Sequence, residues 1–96
     1  MRKTNEQSMK EVFDELLKAY GLDQRMAEKK LINAWPNLCG PMIARYTKSI
    51  YIKNKVLYLH MDNAVVREEL MFSKEKLIEK LNTEAGAVVI EDVVIR

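Results

Sequence analysis

Residues 49–61 have the sequence Ser-Ile-Tyr-Ile-Lys-Asn-Lys-Val-Leu-Tyr-Leu-His-Met, and the fold is predicted from this segment outward. Aliphatic residues alternate with polar or aromatic ones on both sides of Asn54-Lys55, which is the pattern of two half-buried strands. Asn tolerates the left-handed backbone of a two-residue hairpin turn, so the two strands are predicted to form a hairpin. The predicted register pairs Ile50 with Leu59 and Ile52 with Leu57 on one face, and Ser49 with His60, Tyr51 with Tyr58 and Lys53 with Val56 on the other.

Three helical segments are predicted before the hairpin. The first covers residues 9–20, where apolar side chains recur at helical spacing, and it ends at Gly21. The second begins at Asp23, and we expect it to break or kink near Trp35, because Pro36 lacks a backbone N–H and clashes with the preceding turn. A short helical turn is predicted over residues 42–46, after Gly40-Pro41.

One long helix and one strand are predicted after the hairpin. The helix begins near Asp62 or Asn63, presents one apolar face and ends at Gly86, and residues 87–96 form a third strand of ambiguous phase. The order is therefore α-α-(α)-β-β-α-β. This order predicts an α+β fold in one domain, residues 1–96, with helices on one face of a three-stranded mixed or antiparallel sheet and the other face open.

Composition excludes several classes of protein. The 96 residues are 48% apolar and 31% charged, which is ordinary for a single globular domain. No apolar stretch is long enough to span a membrane, and the polar N-terminus does not resemble a signal peptide. The single cysteine, Cys39, excludes an internal disulfide and any zinc site built from several thiolates. A soluble cytoplasmic protein without cofactor or metal is predicted, and the small core makes a homodimer or another partner plausible.

The charges are unevenly distributed, although the net charge is only +2. Between Glu28 and Asp62 there is no acidic residue, whereas the segment that follows is mixed or mildly acidic. The basic residues of the acid-free window are Lys29, Lys30, Arg45, Lys48, Lys53 and Lys55. A basic surface of this kind attracts polyanions such as nucleic acids. A solvated surface that merely lacks acids is the alternative.

The open face of the hairpin is the candidate nucleic-acid surface. It presents three flat rings among cations, an arrangement that holds single strands by stacking and by phosphate contacts. The candidate residues are Arg45, Lys48, Tyr51, Lys53, Lys55, Tyr58 and His60. The alternative is that Tyr51 and Tyr58 form only a cross-strand pair that stabilises the sheet.

Phe72 and Val65 are the candidate partner interface. Both are predicted on the long helix, on the side away from its apolar stripe, and exposed apolar side chains can mark a contact surface. Packing of Phe72 on a neighbouring loop is the alternative.

Catalysis finds little support in the sequence. Cys39 and His60 are the only conceivable nucleophile–base pair, and a small buried thiol with a surface imidazole is the simpler interpretation. Phosphate-binding, dinucleotide-binding and metalloprotease motifs are all missing from the sequence. An enzyme is therefore disfavoured, and no catalytic or metal-binding residue is predicted.

Residues 34–47, Ala-Trp-Pro-Asn-Leu-Cys-Gly-Pro-Met-Ile-Ala-Arg-Tyr-Thr, resemble a family signature. The spacing of Trp35, Gly40, Ala44 and Thr47 is similar to the W-x-x-hydrophobic-x-G-x-x-hydrophobic-A-x-x-T pattern of the bacterial DciA-like domain. The hairpin, the run from Arg67 and the closing strand continue the resemblance. Val66 stands where the family often has Trp, the Gly-x-x-Gly clamp of KH domains is missing, and this sequence does not include the basic tail of longer members.

The resemblance implies a KH-like fold and a non-enzymatic role in DNA replication. The expected partners are single-stranded or duplex DNA and the replicative helicase, whose loading or operation the protein would assist; RNA is an open alternative. A protein-interaction module that does not touch nucleic acid is the competing hypothesis. Trp35 is predicted to be a structural residue at the junction of helix and sheet rather than a stacking platform.

Overall fold

The computed structural model describes residues 11, 12, 15, 19 and 22–96. The helix predicted over residues 9–20 lies largely outside the described residues. The helices are α1 (Leu22–Cys39), α2 (Pro41–Arg45), α3 (Ala64–Phe72) and α4 (Lys74–Ala85), and the strands are β1 (Thr47–Lys53), β2 (Val56–Met61) and β3 (Asp92–Ile95). The predicted α+β fold with a three-stranded sheet is confirmed.

The hairpin has the predicted register at every predicted pair, from Ser49–His60 to Lys53–Val56. Asn54 and Lys55 form its turn with φ of 53° and 64°, the left-handed conformation that a two-residue turn requires. β2 is the central strand, antiparallel to β1 and parallel to β3. The sheet is therefore mixed.

A β-bulge interrupts the hairpin at Lys48. Thr47 pairs with Met61 and Ser49 with His60, so Lys48 is an extra residue on β1. Without the bulge, strict alternation would turn this lysine toward the core face. With it, Thr47 faces the buried Met61, and Lys48 is exposed.

The core lies on the inner face of the sheet, which the helices cover as predicted. Its hairpin members are all on the predicted aliphatic face, Val93 joins them from β3, and its helix members come from α1, α3 and α4. The buried residues are Leu31, Trp35, Leu57, Leu59, Met61, Val66, Leu70, Leu81, Val89, Ile90 and Val93. The outer face of the hairpin carries polar and aromatic side chains together with Val56.

α1 passes through Pro36 instead of ending there. The predicted break near Trp35 is wrong as an end of the helix, since helical backbone continues for one more turn to Cys39. The end comes where Gly40 adopts φ of 90°, a conformation that suits a residue without Cβ. The predicted short turn then follows as α2, which begins at Pro41, and proline is favoured at the start of a helix.

The single helix predicted between β2 and β3 is two helices. Ser73 is the C-cap of α3 and precedes α4, and its φ of −100° and ψ of 17° lie outside the helical range. Asn63 caps the start of α3, because its side chain accepts a hydrogen bond from the Val66 amide at 3.0 Å. Gly86 ends α4 in the left-handed conformation, as predicted.

The last strand is shorter than predicted, because residues 86–91 form a loop. The Asn82 side chain accepts hydrogen bonds from the amides of Val89 and Ile90 at 2.9 and 3.0 Å and donates to the Ile90 carbonyl at 2.9 Å. These bonds satisfy backbone groups of the loop, which lies beyond the point where Asp92 pairs with Val56, the first residue of β2. β3 therefore begins only at Asp92, and Val93 opposite Leu57 settles its phase.

Candidate nucleic-acid interface

A stacked pair of tyrosine rings lies at the centre of the outer sheet face. The ring centroids of Tyr51 and Tyr58 are 4.8 Å apart and their planes meet at 13°. The guanidinium of Arg96 lies over the Tyr58 ring, 5.7 Å from its centroid, within cation–π range. Because β2 is the central strand, Tyr51 on β1 and Arg96, which follows β3, contact Tyr58 from opposite sides of β2. Tyr58 is thus enclosed, whereas Tyr51 is 47% exposed.

A cavity of about 170 Å³ opens beside this pair. Besides the two rings and Leu59, it is lined by Ser49, His60 and Arg96. Its polar side chains are a hydroxyl, an imidazole and a guanidinium, and none of its lining residues is acidic. Such a cavity suits an anionic group.

The sequence did not single out Arg96 or Ser49 as site residues. Ser49 is predicted opposite His60, but its side chain has neither a ring nor a charge that would indicate a binding role. The face on which Arg96 lies could not be predicted, because the phase of the last segment is ambiguous in the sequence. With Ile95 opposite the inward-facing Leu59, alternation places Arg96 on the outer face.

The predicted basic residues lie at different places around the rings. Lys48 at the bulge and Lys53 near the hairpin turn are both exposed, and they are separated along β1 by roughly 17 Å at about 3.4 Å per residue. Lys55 is half-buried in the turn, where its carbonyl accepts a hydrogen bond from the Glu91 amide at 2.7 Å. Arg45 is exposed in the last turn of α2 and is not among the residues that line the cavity.

Asp92, the first residue of β3, is already engaged by other groups. Its carboxylate accepts a hydrogen bond from the Val93 amide at 2.8 Å and lies 3.1 Å from the Lys74 ammonium. The pKa of the Asp92 carboxyl is lowered below its usual range, chiefly because of the hydrogen bond from the Val93 amide and secondly because of Lys74. The carboxylate is therefore ionised and paired at neutral pH.

A separate apolar surface lies on α3. Phe72 is 89% exposed, and Val65, seven residues earlier, faces the same side of the helix and is also exposed. Met71 and Glu68 join Phe72 around a shallow depression of about 240 Å³. The structure thus leaves both predicted interface residues accessible, away from the rings of the sheet.

Trp35 is a structural residue, as predicted. It is 2% exposed, and its indole Nε1–H donates to the Thr47 hydroxyl at 3.0 Å. That hydroxyl donates in turn to the Ile43 carbonyl at 2.8 Å. Together with Gly40 and its positive φ, these bonds fix α1, α2 and β1 to one another. The residues of the signature therefore hold the junction of the fold, and none of them lies in the outer cavity.

Cys39 and His60 do not form a catalytic pair. Cys39 packs against the core at the end of α1, in a groove that Leu77 and Lys80 of α4 also line. Burial raises the pKa of its thiol, which disfavours the thiolate. His60 is exposed on the opposite side of the sheet.

Neither a metal-binding cluster nor a membrane-spanning helix is found among the described residues. In residues 22–96 and the four described positions before them, no cluster of three or more His, Cys, Asp or Glu side chains could hold a metal ion. No helix of the same residues combines the length and apolarity needed to cross a membrane.

An aromatic face with flanking cations and a separate apolar helix surface are features of a binding domain. A sequence model of the family described as "Dna[CI] antecedent, DciA" matches residues 8–95. The chain therefore belongs to the DciA family, which is associated with helicase loading in DNA replication. Comparison with curated proteins and with solved structures gives no significant match.

Proposed function

We propose that this protein is a non-enzymatic, nucleic-acid-binding accessory protein of bacterial DNA replication, which assists loading of the replicative helicase in the cytoplasm. The observation that carries the proposal is the ring pair of Tyr51 and Tyr58, flanked by cations on the sheet face that the described helices leave uncovered. Family membership supplies the replication context. The proposal includes a KH-like assignment of the fold, in which the helices cover one face of the sheet and the open face serves as the binding surface.

The roles divide by chemistry. Lys48 and Lys53 are exposed at the two ends of β1 and would contact phosphates, with Lys55 and Arg45 at the margins. Tyr51 offers an exposed ring for stacking, a contact that any base can make. The two kinds of contact together predict binding with little sequence preference and strong salt dependence.

Fluorescence anisotropy with labelled single-stranded and duplex DNA, at two salt concentrations, tests the proposal. We expect binding at low salt that weakens as salt rises, because cations released from the phosphates drive association. Lys48→Gln combined with Lys53→Gln should weaken binding, whereas Lys76→Gln, an exposed cation on α4, is the matched control. Absence of binding by the parent protein at low salt would refute the proposal.

A second candidate function is docking to a protein without contact to nucleic acid. The exposed Val65 and Phe72 on α3 favour it, and the replicative helicase is the partner that the family indicates. Purified helicase should be captured by the protein after nuclease treatment, and less well by Phe72→Ser. Thr83→Ala, an exposed change on α4, is the control. Capture that disappears with nuclease would show that nucleic acid bridges the two proteins.

A further inference from the structure

We propose that the cavity beside the ring pair, lined by Ser49, His60 and Arg96, is a phosphate subsite for single-stranded nucleic acid, with the adjacent base stacked on Tyr51. The inference rests on the proposed function, which it deepens. Arg96 and Ser49 become binding residues, Tyr58 positions the Arg96 guanidinium, and the preferred ligand is single-stranded rather than duplex nucleic acid.

Arg96 is held in place from two directions. Its amide donates to the Leu59 carbonyl at 2.9 Å, and its carbonyl accepts from the Met61 amide at 2.7 Å, so the backbone continues the ladder between β2 and β3. Its guanidinium then rests over the Tyr58 ring. A cation whose backbone and side chain are both positioned loses little conformational freedom when a ligand binds.

The charge of Arg96 is available to a ligand. Among residues 22–96, its guanidinium has no carboxylate within ion-pair distance, whereas Asp92, at the start of β3, is paired with Lys74. A planar guanidinium presents N–H donors in a fork that matches two oxygens of a phosphate. Ser49 and His60 line the same cavity and supply further polar groups for the remaining oxygens.

The lining of the cavity favours a phosphate over a base. It combines the guanidinium of Arg96 with the polar groups of Ser49 and His60 and includes no acidic residue. The base is therefore expected to bind beside the cavity, on a ring. The enclosed Tyr58 has no open ring face, which leaves Tyr51 as the ring on which a base can stack.

This arrangement selects single strands. In a duplex, each base is covered on both faces by its neighbours, so an exposed tyrosine ring cannot stack on it without unstacking the helix. A single strand can stack one base on Tyr51 and place a neighbouring phosphate against Arg96. Duplex DNA would meet the same surface through phosphates alone.

The test combines two variants with two single-stranded probes: an oligothymidine and an abasic oligomer with the same number of phosphates. Arg96→Gln should lower the slope of log affinity against log salt by about 0.7 with both probes, the value for one lost phosphate contact on a single strand. Tyr51→Ile, which removes the ring but still covers Tyr58, should weaken oligothymidine binding by roughly 5- to 150-fold. The same variant should leave binding of the abasic oligomer unchanged.

Three controls keep the outcomes distinct. Arg96→Lys retains the charge and should restore most of the slope. Lys76→Gln removes a cation outside the site and should leave the slope at the parent value. Circular dichroism melting should show that both Arg96 variants are folded. If the parent binds but Arg96→Gln keeps the parent slope, or Tyr51→Ile weakens both probes equally, the subsite is wrong while the proposed function stands. If the parent binds neither probe at low salt, both proposals fail.

Discussion

Replacing Trp35 by Ala should destabilise the domain severely, while leaving the binding chemistry intact in the molecules that remain folded. Trp35 is 2% exposed in the core and donates to Thr47 across the junction of α1 and β1. Truncation of a buried Phe or Trp to Ala costs about 3 to 5 kcal/mol, because apolar contacts are lost and a cavity is left behind. A small domain has only about 5 to 15 kcal/mol of stability in total.

The expected fall in Tm is about 12 to 40 °C, at about 4 to 8 °C per kcal/mol for a domain of this size. Thermal melting by circular dichroism measures it. The matched variant is Tyr51→Ala, which removes another aromatic ring but from a side chain that is 47% exposed. This variant should melt within a few degrees of the parent and bind single-stranded DNA more weakly.

Trp35 fluorescence gives an independent check on the same reasoning. The indole is enclosed on the helix side of the sheet, whereas the proposed binding surface is on the other side. Its emission should be blue-shifted and should not change when oligonucleotide is added. Red-shifted emission that DNA quenches, or a Trp35→Ala variant that melts like the parent, would show that Trp35 is the stacking platform and that the two faces have been assigned the wrong way round.

Three further predictions concern the core, the loop before β3 and pH. Leu70→Asp should unfold the domain by placing an unpaired charge among buried side chains, and a variant that melts like the parent would contradict the assignment of Leu70 to the core. Asn82→Ala should cost about 2 to 5 kcal/mol in urea unfolding, because two loop amides lose their acceptor; a change under 0.5 kcal/mol would mean that water replaces it. Asp92→Asn should slightly lower Tm at pH 7, because Lys74 and the Val93 amide stabilise the ionised carboxylate. Since the folded pKa lies below the unfolded one, that difference should be constant above about pH 5 and shrink as pH falls through the folded pKa, and a difference that does not shrink on acidification would contradict it.

The hairpin could be predicted from the sequence, because a hairpin is a local structure. Alternation on both sides of Asn54-Lys55 and the turn chemistry of Asn specify one register, because a slip of β1 by one residue against β2 would turn Tyr51 toward the core and Ile50 and Ile52 toward solvent. The ring pair, and with it the centre of the candidate site, could therefore be predicted. The stop at Gly86 is local in the same sense, because its φ of 76° suits glycine.

Several ends of the helices and the start of the last strand depend instead on tertiary contacts. Pro36 by itself predicts an interruption of the helix. In the structure the helix continues for one further turn, where Trp35 packs in the core and donates a hydrogen bond to Thr47. The side chain of Asn82 satisfies backbone groups seven and eight residues away and converts a predicted strand into a loop. Contacts of this kind depend on which segments meet in space, and a sequence pattern with a period of two or 3.6 residues does not contain that information.

The candidate site divides in the same way. Tyr51, Tyr58 and His60 were predictable because neighbouring positions of one hairpin place them on one face. Arg96 was not, because it reaches Tyr58 through the parallel pairing of β3 with β2 across 30 intervening residues, from 62 to 91. The sequence determined which rings lie side by side, and the long-range pairing of the sheet decided which cation completes them, because only that pairing brings Arg96 to the ring.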